Sequence, residues 1–211
     1  MDTEATASGI APSERLGRWI DWNRAVALSR ALDQPPSASP SVPSGDPADE
    51  AARERRALEV RIGDRQAWDR AMPAGDAEAA AVEGLRKHYL ALQHAMQAAA
   101  GRLRGPLRDR LAAGTPAQAR LAELDAVTEQ VAVPREQQLL AAVPGLLADR
   151  YASLHRQATA GRDADDLLAP VAGDDGGWRH AFRTDLQDLL RAELEVRFMP
   201  VEGLLAALRN P

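Results

Sequence analysis

The chain has 211 residues and a formal net charge of −5, a size that suits one large or two small domains. It has no cysteine, which excludes disulfides, thiolate nucleophiles, iron–sulfur clusters and cysteine-ligated zinc. The acidic balance also counts against nucleic-acid binding, which draws its affinity from a positive surplus that displaces counterions. Lys87 is the one lysine among 26 basic residues. Arginine in that proportion reads as coding bias, or as guanidinium forks for carboxylate or phosphate.

The opening MDTEATASGIAP is acidic and has neither the basic nor the apolar region of a signal peptide. No run approaches the roughly 18 apolar residues of a membrane helix. The expectation is a cytoplasmic protein without membrane insertion. Residues that favour strands are sparse and never alternate over several positions. Ala, Leu, Arg, Glu and Gln dominate, and these are strong helix formers. The chain reads as all-α, an elongated helical bundle with coiled-coil-type seams.

A first helix is predicted from about Ser13 to Leu32, with Leu16, Trp19, Ile20, Trp22, Val26, Ala27 and Ala31 on one half of the wheel. Asn23 and Arg30 fall near the middle of that same face. Gln34 to Pro47 then holds five prolines and four serines, a linker composition. This divides the chain into an amphipathic helix over 1–33, a linker over 34–47 and a bundle over 48–211.

Asp46 and Pro47 supply an N-cap and a first-turn proline for a charged helix reaching about Ala71, with Leu58, Val60, Ile62, Trp68 and Met72 as its apolar area. Pro73 and Gly75 break it. From Ala77 to Leu103, Val82, Leu85, Tyr89, Leu92, Met96, Ala99 and Leu103 are spaced alternately three and four apart, a heptad seam. Gly101, Gly105 and Pro106 are expected to end this helix, leaving a short one over Leu107 to Ala113. Thr115-Pro116-Ala117-Gln118 reads as a capping box. It opens a helix with Leu121, Leu124, Thr128 and Val131 on the seam, expected to run to Pro134. From Leu140 to Ala158 the same rhythm passes through Pro144, which predicts a kinked helix. A last long helix is predicted from Trp178 to Phe198, and a short amphipathic one after Pro200.

Several polar residues do not fit this pattern. On the last long helix, Trp178, Phe182, Leu186, Leu189 and Val196 mark the apolar face, and Asp185 and Glu193 fall inside it. A carboxylate there must meet a cation or lose its charge. Arg30 and Arg150 are the candidate partners, so Asn23, Arg30, Arg150, Asp185 and Glu193 form the expected buried polar set. An acid/base pair needs a pocket and an orienting group as well, and neither is visible.

No two of the four histidines have metal-ligand spacing. The aspartates between 163 and 175 lack the glycine and the terminal glutamate of a calcium loop. No phosphate loop or nucleophile elbow occurs. The reading is therefore non-enzymatic, with no metal and no cofactor. Arg102, Arg104, Arg108 and Arg110 make the one local basic surplus, a candidate anion-binding patch. Trp19, Trp22 and Val26 on the tethered first helix are the candidate partner-binding residues, since tryptophan is favoured at interface hot spots.

Three stretches carry a resemblance: Ser13 to Trp22 with Ala27-Leu28-Ser29; Val143-Pro144 to Leu154; and Ala192 to Leu205. Together they resemble an uncharacterised proteobacterial family, domain of unknown function 3348, across most of the chain outside the linker and the acidic loop. The resemblance carries over no catalytic residue. It implies a neighbourhood of OmpA-like envelope proteins and hence an accessory subunit of an envelope-linked assembly. The expected function is an adaptor that binds helices of a partner protein or of itself. The alternative is a nucleic-acid-associated regulator using the arginine patch.

Overall fold

The computed structural model describes residues 25, 26, 29, 45–73, 78–160 and 177–210. Among them there are helices and no strand. The elements are α1 (Pro47–Gly63), α2 (Arg65–Ala71), α3 (Glu78–Ala112), α4 (Pro116–Leu140), α5 (Val143–Ala160) and α6 (Trp178–Arg209).

The expected N-cap of α1 is present: the Asp46 carboxylate accepts from the Ala48 N–H at 2.9 Å. The single charged helix of the sequence reading is in fact two. Asp64 ends α1 by donating its N–H to the Arg61 carbonyl, and its side chain starts α2 by accepting from Ala67 at 3.2 Å. This corner lets Trp68 turn inward. It is fully buried, and its indole N–H donates to the Ile62 carbonyl at 2.8 Å.

Helix α3 does not stop at Gly101, as the sequence reading expected. It runs through Gly105 and Pro106 to Ala112. Two interior glycines and a proline cost roughly 1, 1 and 3 kcal/mol relative to alanine. Leu103, Leu107 and Leu111 continue the buried stripe across them, and each contributes about 1.5–3 kcal/mol by leaving water. Burial offsets the breakers. The same holds for α6, one helix through Pro200, with Phe198 buried before it and Val201, Leu204 and Leu205 after.

Helix α4 likewise continues past Pro134. The break falls at Ala141 and Ala142, and Pro144 sits at the second position of α5, where no intrahelical donor is lost. The predicted kinked helix is therefore two helices. The capping box is formed as expected: Gln118 N–H to Thr115 Oγ1 at 3.3 Å, and Thr115 N–H to Gln118 Oε1 at 2.9 Å.

The core lies between α3 and α6, the pair in most extensive contact. From α3 come Leu85, Tyr89, Leu92, Met96, Ala99, Leu103, Leu107 and Leu111; from α6 come Phe182, Leu186, Leu190, Leu194, Phe198 and Val201. The α6 stripe is turned by about one residue from the sequence expectation, roughly 100° at 3.6 residues per turn. Val196 is consequently 60% exposed rather than core. Helix α4 departs further. It buries only Ala119 and Ala122, Leu121 is exposed, and no residue from 123 to 140 is buried.

Helix α2 crosses close to α3 at Gly84, where an added Cβ would collide with the Ala71 carbonyl. Gly84→Ala should therefore destabilise by about 1–3 kcal/mol, as overpacking does, despite its better helix propensity. Leu92→Ala should cost about 2–5 kcal/mol, and Leu139→Ala, at an exposed site, less than about 0.5 kcal/mol. Urea titration followed by circular dichroism measures all three.

His88 gives a pH dependence. Its ring meets Trp68 edge-on at 4.3 Å between centroids, and its Nε2 is buried without an acceptor or donor among the described residues. Burial, then the Arg61 charge, holds its pKa below the ordinary value. The unfolded chain binds this proton more readily, so stability is fully present above the ordinary value of about 6.5 and is lost as pH falls below it. His88→Gln should flatten the stability–pH curve in that window, measured by thermal melting from pH 7.5 to 5.

Candidate functional site: a polar groove along α3, α4 and α6

Two polar clusters, one buried and one partly buried, lie beside the seam. In the first, Glu193 on α6 is 8% exposed. It accepts from the Tyr89 hydroxyl on α3 in a short contact, and from Gln93 Nε2 at 2.9 Å. Gln93 also donates to the Tyr89 oxygen at 2.8 Å. Burial first, then the hydrogen bond and charge of Glu193, push the Tyr89 pKa upward, so the phenol stays neutral. One turn along α6, the Arg197 side chain is only 6% exposed, with Glu136 of α4 at 3.1 Å and Glu193 at 3.9 Å.

In the second cluster, Arg104 grips Asp125 through Nε at 3.1 Å and Nη2 at 2.7 Å, and approaches Glu129 at 3.4 Å. Arg108 closes the square to Glu129 at 2.6 Å and to Asp125 at 3.4 Å. Both pairs repeat every four residues on facing helices, which brings all four groups to one level.

Between the clusters lies a groove. One hollow of about 530 Å³ is lined by Ala100, Gly101 and Arg104 of α3, Glu129, Ala132, Val133 and Glu136 of α4, and Val196, Arg197 and Pro200 of α6. A second of about 630 Å³ is lined by Leu90, Gln93 and His94 of α3, Leu140 of α4, Pro144 of α5 and Arg197. They share Gln97 and Arg197. Gln137 Nε2 donates to Gln97 Oε1 at 3.3 Å, tying α4 to α3 between them.

The sequence-predicted residues are placed as follows. Trp19, Trp22, Asn23 and Arg30 lie outside the described residues, as do the aspartates at 163–175. Val26 is helical and half-buried. Arg150 and Asp185 pair at 2.9 Å, but their side chains are 49% and 51% exposed. The expectation that they are buried is corrected: the α6 stripe turns Asp185 to its edge. Glu193 is buried, and among the described residues its polar partners are Tyr89 and Gln93, with the guanidinium of Arg197 from its own helix nearby, while Arg150 pairs with Asp185.

The arginines of the candidate anion-binding patch are all engaged within the chain. Arg104 and Arg108 are spent on Asp125 and Glu129, Arg102 meets Glu54 at 3.2 Å, and Arg110 donates to the Gly45 carbonyl at 2.7 Å. Each of the four therefore has an acceptor within the chain. Among the described residues no group of three or more His, Asp or Glu could hold a metal ion, and no helix is long and apolar enough to cross a membrane.

Sequence reasoning missed Arg197, Tyr89, Gln93, Asp125, Glu129 and Glu136. Two signals were available: Asp125/Glu129 matches the four-residue spacing of Arg104/Arg108, and Glu193/Arg197 has that spacing within α6.

The fold defines an all-α protein with a polar groove on one flank. The chain belongs to the family described as "Protein of unknown function (DUF3348)", which matches residues 1–210. No curated protein and no solved structure matches it.

The two kinds of ion pair separate in a stability experiment. Asp125→Ala removes the bidentate partner of the buried Arg104 guanidinium and should cost roughly 3 kcal/mol, the low end for a broken buried pair because Glu129 remains. Asp185→Ala removes a solvated pair and should cost less than about 1 kcal/mol. Chemical denaturation of the two variants checks the difference.

Proposed function

We infer that the chain is a non-enzymatic helical adaptor, or accessory subunit, whose groove receives a helix of another protein. The carrying observation is the unburied half of α4. A wall from Glu129 to Leu140 spans about 17 Å at 1.5 Å per residue, room for three turns of an occupant. It faces α6 across small residues at Ala100, Gly101 and Ala132, which allow close backbone approach. Val196, at 60% exposure, forms an apolar lip. An amphipathic helix laid in such a groove reads it through anchors at i, i+3, i+4 and i+7.

The finer placement rests on the family resemblance: a cytoplasmic component of a proteobacterial assembly linked to OmpA-like envelope proteins. Self-association through the same groove is the homotypic form of this reading.

Co-isolation of the tagged full chain from native extract, with partners identified by mass spectrometry, tests the adaptor. A specific partner should be retained by Val60→Glu, an exposed residue on α1, and lost at least tenfold with Val133→Glu in the groove wall. Equal retention by both variants, with light scattering showing no self-association, would remove this reading.

A further inference from the structure

Helix α6 is apolar on two faces. Its inner face carries Leu190, Leu194, Val201 and Leu204 into the core. A helix that packs on one side alone ordinarily shows polar residues on the other. The outer face of α6 instead carries Ala192, Val196, Met199, Gly203 and Ala206, all exposed and spaced alternately four and three apart. Leu189, half-buried, extends that spacing toward the start of the helix. Val196 is 60% and Met199 64% exposed, two of the six large apolar side chains left to water among the described residues. A three-and-four rhythm is the pattern of a seam between two helices.

The stripe is self-complementary. A second copy of α6 can be laid antiparallel on the first, with a two-fold axis midway between Val196 and Met199. Val196 then lies level with Met199 of the second copy, Ala192 with Gly203, and Leu189 with Ala206. A two-fold contact uses the same patch on both copies, so each pairing occurs twice. The large side chains meet at the centre, and small ones on either side let the backbones approach. Space is free for that approach, since a Cβ added at Gly203 would meet nothing within 4 Å. A parallel pair would instead set Gly203 against Gly203 and leave that layer empty.

The charges along the edge fit the antiparallel arrangement. Asp188, with its side chain 64% exposed, comes beside Arg209 of the second copy, which is exposed in the last turn of α6. Glu195 comes beside Glu202 of the second copy, but Arg55 of α1 attends both residues within each chain, at 4.0 and 2.5 Å. From Leu189 to Ala206 the stripe runs about 26 Å at 1.5 Å per residue. One helix pair of that length falls below the standard interface size, so the dimer it forms is weak.

We propose that the outer stripe of α6 is a homodimerisation face, on which a second copy of the chain packs its own α6 antiparallel. Of the stripe only Val196 borders the groove, so the proposal goes beyond the groove reading and does not rest on it.

Light scattering of the full chain should show the mass rising from one copy toward two between about 1 μM and 1 mM, the range of weak contacts. Met199→Glu would bury a carboxylate without a partner and should raise the dissociation constant roughly tenfold or more, with circular dichroism unchanged. Val60→Glu and Val133→Glu should leave the constant unaltered. Because the chain has no cysteine, disulfide trapping reads the orientation. Ala192→Cys and Gly203→Cys in one chain should give a disulfide-linked dimer on mild oxidation. Either substitution alone should give none, since the two equivalent positions then lie about 16 Å apart along the helices, beyond disulfide reach.

A mass of one copy throughout, a dimer indifferent to Met199→Glu, or trapping by a single cysteine each overturns the proposal. So does a dimer lost with Val133→Glu, since the contact then runs through the groove. If an outside partner is retained by a chain that stays monomeric, the adaptor reading stands and this inference alone falls. If the dimer survives Val133→Glu and no outside partner is found, the inference stands without the adaptor.

Discussion

The contact between α3 and α6 is the constraint on which the other helices depend. Every other helix touches one or both of them. Each presents a long apolar stripe, and each stripe continues through a proline that local propensity would treat as a stop. A proline removes one hydrogen bond and presses on the carbonyl four residues before it, which bends a helix without having to end it. Leucine and phenylalanine on both sides of Pro106 and Pro200 have more to lose by leaving the core than the backbone has to gain by breaking.

Polar groups enter this seam at defined levels and give it register. Tyr89, Gln93 and Glu193 lock α3 to α6, and the Arg104–Asp125–Glu129–Arg108 square locks α3 to α4. Buried ion pairs add little net stability against an apolar replacement, but breaking one is severe, so they act best as devices that specify alignment. The α3–α4 interface thus combines these charges with two small buried residues, Ala119 and Ala122, where α3–α6 is built mainly from leucines. The remainder of α4 is held by polar side chains alone, Gln137 to Gln97 of α3 and Glu136 to Arg197 of α6, and forms the groove wall without burying any of its residues.

How far the sequence could be read follows from the same division. The seam on α3 was legible residue by residue, from Leu85 to Leu103, because its periodicity is regular and buried. The capping box at Thr115 and the Asp46 cap were legible because each is a local hydrogen-bond pattern. The ends of α3, α4 and α6 were not, because a rule about Gly and Pro cannot weigh the tertiary burial of Leu107, Leu111 or Val201. Asp185 was misplaced by one step of the wheel: Leu190 and Leu194 centre the α6 stripe away from it, and counting Val196 as core pulled the predicted arc the wrong way. Glu193 was recognised as anomalous, but its partners Tyr89 and Gln93 lie about a hundred positions earlier, and no local pattern points to them. The site itself was not legible. A groove arises from what a helix leaves uncovered, and composition does not record that.

The side chain of Gln118 does two things at once. It completes the reciprocal cap at the start of α4, and its amide donates to the Ala207 carbonyl at 2.8 Å, in the final turn of α6. Final turns of helices ordinarily fray, since their carbonyls have no donor further along. Here that fraying is coupled to an initiation point 89 positions upstream. The tail of the molecule and the beginning of its groove-forming wall are thereby joined into one cooperative unit, so that trimming the former loosens the latter.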